Sequence, residues 1–302
     1  MDSVKAIRKK YGRGAMTGFL MALPTIVGLC VLNVYPLCRT VYMSFFKSGS
    51  FGKWTFVGLD NYINMFADDG FWRITRNTIV FMLLTVPVTI ILGLLIAVLL
   101  NTKIKGKTIY RAIYFLPMVV APAAVAMVWK WLFNTDYGII NMVFGALHLP
   151  SGTNWIADPK TALLACAIVT IWSSIGYDAI LILSGLQSIS PTYYEAARID
   201  GASSFQQFRS ITVPMVSPTL FFVLIMRVMS SLKVFDIVYM MIEKTNPAIR
   251  NSETILYYFY QETFVKNNKG YGSALVVWCV ILIAIITIIQ FIGQKKWVTY
   301  DV

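Results

Sequence analysis

Charge is scarce in this 302-residue sequence, where 13% of residues are Asp, Glu, Lys or Arg and 57% are hydrophobic. An ordinary soluble domain carries about 25% charged residues, so a chain this apolar lacks the polar surface needed to face water on every side. Histidine is nearly absent, with His148 alone. One imidazole with no second ligand or base nearby provides neither a metal centre nor a catalytic pair. The four cysteines, Cys30, Cys38, Cys166 and Cys279, sit in or beside apolar runs at spacings that suit neither zinc nor a disulfide framework. They read as small core residues. No G-x-x-x-x-G-K-[ST] loop, no G-x-S-x-G turn and no paired carboxylates within an apolar run are present. These absences argue against nucleotide hydrolysis and against an intramembrane enzyme. No catalytic residue and no metal ligand is assigned.

What is present points to lipid. Six apolar segments reach bilayer-spanning length: Ala15 to Tyr35, Thr78 to Leu100, Tyr110 to Phe133, Thr161 to Leu183, Val216 to Met241 and Ser273 to Ile292. The expected architecture is an all-α membrane protein with six transmembrane helices. The formal charge of +12 comes with no basic strip interleaved with aromatics, so no nucleic-acid partner is inferred. The positives instead flank the spans: Lys5, Arg8, Lys9, Lys10 and Arg13 before the first, Lys103, Lys105, Lys107 and Arg111 between the second and third, Lys295 and Lys296 after the last. The positive-inside rule makes these segments and both ends of the chain cytoplasmic. Expected divisions are a basic segment 1–14, a six-helix transmembrane domain 15–292 and a cytoplasmic tail 293–302. The basic start followed by an apolar run has no small-residue cleavage site, so it reads as an uncleaved first span. External segments are then Phe46 to Asn77, Asn134 to Lys160 and Ile242 to Gly272, with Asp60, Asp68, Asp69 and Asp136 as solvated loop charge. Trp54, Trp129, Trp131, Trp155 and Trp297 stand near span ends, as an interfacial belt requires. Pro24, Pro87, Pro117 and Pro122 fall inside spans, where neighbours or cavity water must satisfy the freed carbonyls.

The cytoplasmic stretch Ser184 to Pro214 is too polar to span and too patterned to be a linker. Ser190 caps a helix with Pro191 in its first turn, Glu195, Ala196 and Ala197 favour it, and Gly201 permits the turn that ends it. Ser203 or Ser204 caps a second short helix, expected to close before Pro214. Glu195, Ala196, Ala197, Gly201, Ile211 and Pro214 stand at the spacing of the EAA signature, with Val213 where leucine is usual. Tyr110 to Pro117, Trp129 to Asn134 with Gly138 and Asn141, Asn154-Trp155, Asp158-Pro159 and Gly185 to Gln187 extend the likeness over most of the chain. Together they resemble the permease subunit of binding-protein-dependent ABC importers of the maltose-type carbohydrate-uptake class.

That resemblance implies a type I importer permease fold in a bacterial cytoplasmic membrane, with a coupling loop at 186–214. It implies a homologous second permease subunit, two cytoplasmic ATPase subunits that bind the ATP and magnesium, and an external solute-binding protein that delivers a sugar or oligosaccharide. This chain itself would hold no cofactor. Glu195, Ala196, Ala197, Asp200, Gly201, Ile211 and Pro214 are the expected ATPase-coupling residues, with Arg198 beside them.

Ionisable residues within spans are expensive and few: Asp178, Arg227, Lys233 and Asp236. Arg227 lies about nine residues past Pro218, which places it near the midplane. Ser230 and Ser231 share its helical face, and Ser174 lies one turn from Asp178 with Thr170 and Trp172 close by. Motif alignment to the maltose-type class implies solute contacts from these two patches and from Met118 and Pro122. The candidate solute-binding set is Thr170, Trp172, Ser174, Tyr177, Asp178, Arg227, Ser230, Ser231, Met118 and Pro122. Two roles for Arg227 stand side by side, solute contact and structural pairing with Asp178 or Asp236. Lys233 and Asp236 read as a one-turn helical pair with no transport role. The same architecture importing a glycerol phosphate ester, with Arg227 on the phosphate, is the alternative solute reading.

Overall fold

The structure, a computed structural model, describes residues 2–49, 53–102, 106–149 and 152–300, with residues 2–15 described by backbone alone. Lys103 and Lys105 lie outside the described residues, as do the side chains of Lys5, Arg8, Lys9, Lys10 and Arg13. The chain divides into two compact units, Met1–Met65 with Glu262–Val277 and Phe66–Gln261 with Trp278–Val302.

In the first unit α1 (Asp2–Leu29) passes through a π-helical turn at Cys30–Val34 into α2 (Tyr35–Met43). Its apolar stretch Met16–Met43 has the length and composition of a span, and none of it is buried within this chain. Cys30 and Cys38 are therefore exposed here, against the expectation that all four cysteines are core residues, whereas Cys166 and Cys279 are buried. A short antiparallel hairpin follows, β1 (Phe46–Ser48) against β2 (Trp54–Phe56) with Phe46 opposite Phe56. It is an addition to the expected all-α architecture. Next, α3 (Asp60–Ala67) ties back through Asn61, whose Nδ2 donates to the carbonyls of Ser44 at 2.7 Å and Phe46 at 2.9 Å.

The second unit holds both candidate sites. Its first helix, α4 (Asp69–Asn101), has 33 residues. At ~1.5 Å per residue it is about 50 Å long, well beyond a ~30 Å hydrocarbon core. Its start therefore runs through residues expected to be external loop. Asp68 caps it, accepting from Gly70 N at 2.8 Å and from the Tyr258 hydroxyl at 3.2 Å, so this carboxylate is structural rather than solvated loop charge. The expected third span is two helices, α5 (Lys107–Val119) and α6 (Pro122–Leu132), bent by 99°. Proline at the first turn of α6 pushes Ala121 into extended backbone, and Val120 is extended as well, so the helical path breaks there.

After α7 (Ile139–Ala146), α8 (Ala162–Gln187) packs along α4 and against α5. Gly176 makes the second contact possible, because a Cβ there would collide with the Tyr114 carbonyl. Apolar residues fill the seams in two clusters, one with Ala97, Leu100, Ile182, Leu186, Val216 and Val223, the other with Phe81, Val125, Ala165, Cys166 and Met241. Trp129 and Trp155 pack against the second cluster, and Trp155 Nε1 donates to Asn141 Oδ1 at 3.0 Å. These two rings thus belong to packing rather than to an exposed belt.

The fifth span also departs from expectation. Between α9 (Pro191–Ile199) and the span lie α10 (Ser204–Gln207) and a π-helical turn at Phe208–Thr212, which passes without a break into α11 (Val213–Leu232). Proline at 214 has no N–H to donate, and the π turn absorbs it by carrying the Val213 N–H to the Phe208 carbonyl. At the other end α11 stops at Leu232, nine residues before the expected end at Met241. The N–H groups of Lys233 and Val234 bond back to Ser230 and Ser231, and Thr254 Oγ1 takes the Val234 carbonyl at 2.8 Å. A separate helix, α12 (Asp236–Met241), follows, so Lys233 and Asp236 are not a pair on one helix. The chain continues through α13 (Ile249–Ser252) and α14 (Ile255–Tyr260) to α15 (Lys269–Gln294). The tail then folds onto α11, with Thr299 N donating to Ser217 Oγ at 2.9 Å and the Trp297 ring 6.0 Å from Phe221. Among the described residues, five helical segments, or six with the bent pair, are long and apolar enough to cross a membrane.

Candidate functional site

The polar knob between α8 and α11 is built from local chemistry. Ser190 Oγ accepts from Thr192 N at 3.4 Å with Pro191 in the first turn of α9. The helix ends in a Schellman motif: the Ala202 N–H reaches the Ala197 carbonyl at 2.8 Å and the Gly201 N–H reaches Arg198 at 3.1 Å. Gly201 sits at φ +78°, the left-handed geometry that the motif needs. Ser203, rather than Ser204, opens α10 through a reciprocal cap with Gln206. Tyr194 hydroxyl to Thr212 Oγ1, at 3.1 Å, and Gln207 Nε2 to the Ala202 carbonyl, at 2.8 Å, brace the knob against the root of α11. Buried Leu186 and Ile189 tie its other side into the cluster of Ala97, Ile182 and Val216.

Glu195, Ala196, Asp200 and Gly201 are exposed on this knob, and Ala197, Ile211 and Pro214 are half-buried. Two apolar side chains that sequence reasoning did not single out stand beside them, Ile199 at 86% and Phe205 at 71% exposure. Their signal in the sequence was slight, since one isoleucine and one phenylalanine in a short helical pattern read equally as inward-facing.

A cavity of about 320 Å³ opens where the bent α5–α6 pair faces α4, α8 and α11. Thr170, Ser174, Arg227, Ser230, Ser231, Met118 and Pro122 line it, seven of the ten residues expected to contact solute. Trp172, Tyr177 and Asp178 do not. Trp172 packs edge-on to Trp129 at 5.6 Å. Tyr177 covers the guanidinium of Arg227, with its ring centre 5.7 Å from Cζ. Asp178 is 1% exposed, and its Oδ1 accepts from Arg227 Nε at 2.8 Å. The structural partner of Arg227 is thus Asp178 and not Asp236, and Asp178 acts by holding the arginine rather than by reaching the cavity.

Several lining residues were missed. Thr85 and Thr89, one turn apart on α4, face the cavity, and Thr85 Oγ1 shares a hydrogen bond with Ser231 Oγ at 3.0 Å. Their signal was present as polar residues four apart on an otherwise apolar helix. Ser173 lines the wall as well, as do Lys233, Phe235 and Asp236, which the early end of α11 delivers to it. The knob and the cavity share one continuous helical path. Arg227 lies 23 residues beyond Ser204 on the uninterrupted segment Ser204–Leu232, about 35 Å along the axis.

Residues 89–297 match the family described as binding-protein-dependent transport system inner membrane component. The chain is 34% identical over 290 residues to the trehalose/maltose transport system permease protein MalF of Thermococcus litoralis, covering 96% of this chain and 97% of that protein. It is 35% identical over 262 residues to the sulfoquinovosyl glycerol transport system permease protein SmoG of Agrobacterium fabrum, covering 85% and 83% respectively. Its fold matches a chain in a crystal structure of a bacterial alginate ABC transporter in complex with an alginate pentasaccharide-bound periplasmic protein. There the TM-score is 0.82 at 20% identity, over 99% of both chains.

Proposed function

Because this chain belongs to the binding-protein-dependent transport system inner membrane component family, the multi-pass permeases of ABC importers, we propose that it imports a sugar or oligosaccharide by alternating access. In this reading an external solute-binding protein delivers the solute, and a homologous permease subunit supplies the other half of the pathway. Two cytoplasmic ATPase subunits bind ATP and magnesium and grip the knob, so ATP hydrolysis lies outside this chain. The membrane is the cytoplasmic membrane, with both ends of the chain inside.

One observation carries the reading: a single helical path joins the exposed knob to the hydroxyl-lined cavity. Braced by Tyr194–Thr212, the knob passes rigid-body displacement to α11. Arg227, Ser230 and Ser231 move with it, so closure of the ATPase pair reshapes the cavity wall. The break between α5 and α6 supports the same reading, since non-helical backbone at membrane depth is tolerated where it lines a cavity. The relatives with trehalose, maltose and sulfoquinovosyl glycerol in their names favour a hydroxylated solute.

The test is ATP-dependent accumulation of labelled saccharides in proteoliposomes holding the whole complex. Gly201→Asp is expected to weaken ATPase docking and accumulation together. Full docking and full uptake in that variant would overturn the coupling assignment.

A further inference from the structure

We propose that the solute held in this cavity carries an acidic group, bound between the terminal nitrogens of Arg227 and the ammonium of Lys233. The inference rests on the importer reading and narrows its solute to hydroxylated compounds bearing a carboxylate, phosphate or sulfonate.

The orientation of Arg227 is the first observation. Its Nε is engaged from the buried side by Asp178 Oδ1 at 2.8 Å, and Tyr177 covers one face of the guanidinium. Among the described residues no other hydrogen bond reaches the guanidinium, and the side chain lines the cavity. The two terminal nitrogens are therefore left to face the space where the solute sits. That end-on pair is the edge of the fork that matches two oxygens of a carboxylate, phosphate or sulfonate. Asp178 fixes the geometry without occupying that edge.

Lys233 is the second observation. It terminates α11 six residues beyond Arg227, is exposed, and lines the same cavity. Among the described residues it makes no ion pair, although Asp236 lines the same wall. With Arg227 already paired to Asp178, Lys233 adds a further cation to the same wall, and ionisable residues in a membrane-spanning bundle are costly to keep. A neutral sugar needs neither, because Ser173, Ser174 and Ser230 offer hydroxyls and Asp236 accepts from hydroxyl donors. An oxyanion between Arg227 and Lys233 completes both donor sets and leaves those side chains for the rest of the solute.

The experiment uses the purified complex with its partner permease and ATPase subunits, freed of the external binding protein. Equilibrium dialysis measures binding of D-glucuronate, D-glucose 6-phosphate and a 6-sulfonated hexose against D-glucose. At least one acid is expected to bind ten-fold or more tightly than glucose, and which one does so identifies the acidic group. Lys233→Gln should reduce that ratio about ten-fold, as loss of one charge-assisted contact does. Arg227→Gln alone would strand Asp178, so it is made together with Asp178→Asn, and the double variant should bring the ratio close to one. Glucose binding as tightly as all three acids overturns the proposal and leaves the importer reading intact. A preference for acid that neither Lys233→Gln nor the double variant alters also overturns it. Failure of all four compounds to bind, joined with no ATP-dependent uptake of any saccharide, removes both readings.

Discussion

Gly201 is the point where a small, calculable perturbation should be felt far away. Its φ of +78° lies in the left-handed region, and an added Cβ would meet nothing within 4 Å. A substitution therefore introduces backbone strain without a collision inside this chain. A residue with a Cβ held in that conformation costs roughly 1–2 kcal/mol, more for a β-branched one and less for asparagine. Through the fraction of knobs in the docking-competent turn, this strain weakens ATPase binding by at most about 5- to 30-fold. The expected order is Gly201, then Asn, Ala and Val, with ATPase titration onto the reconstituted permease as the assay. The spans should assemble normally in all four, because Gly201 takes no part in the buried core. Val binding the ATPase as tightly as glycine, or Asn binding worse than Val, would refute the reasoning.

Three further outcomes are expected. Arg227→Ala leaves Asp178 buried and unpaired, which should destabilise the permease by about 3–5 kcal/mol, and Asp178→Asn combined with Arg227→Gln should restore yield and thermal midpoint in detergent. Gly176→Ala drives a Cβ into the Tyr114 carbonyl, so it should lower the thermal midpoint well beyond any change from Gly201→Ala. Ile199→Ser and Phe205→Ser should each weaken ATPase docking by ten-fold or more, in line with the ~1.5–3 kcal/mol of burying such a side chain, with no loss in the yield of folded permease.

The parts of this molecule that were legible in its sequence are those set by short-range chemistry. Ser190 with Pro191, and the alanine pair followed by Gly201, specify a capped helix and a left-handed stop from neighbouring residues alone. What was not legible depended on partners distant in sequence. The run Val234, Phe235, Ile237 and Val238 continues the apolar character of the span before it, yet the helix ends at Leu232, where Thr254 takes the Val234 carbonyl. That early end turns Lys233 and Asp236 from a one-turn helical pair into cavity wall. Pro122 reads as tolerated inside a helix, whereas it marks a 99° break, where the backbone released at Val120 has a cavity to line. Pro214 shows the converse, a proline that a π turn absorbs so that the helix continues through it. Thr85, Thr89 and the separate duties of Arg227 and Asp178 required the facing of four helices, which one-dimensional periodicity does not contain.

The most direct measurement places a cysteine at the exposed Ala196, in a chain with Cys30 and Cys38 changed to serine, and probes it with a membrane-impermeant thiol reagent. The account predicts labelling in inside-out vesicles only, and protection once the ATPase subunits are bound. Labelling from the outside of intact cells, or equal labelling with and without bound ATPase, would contradict it.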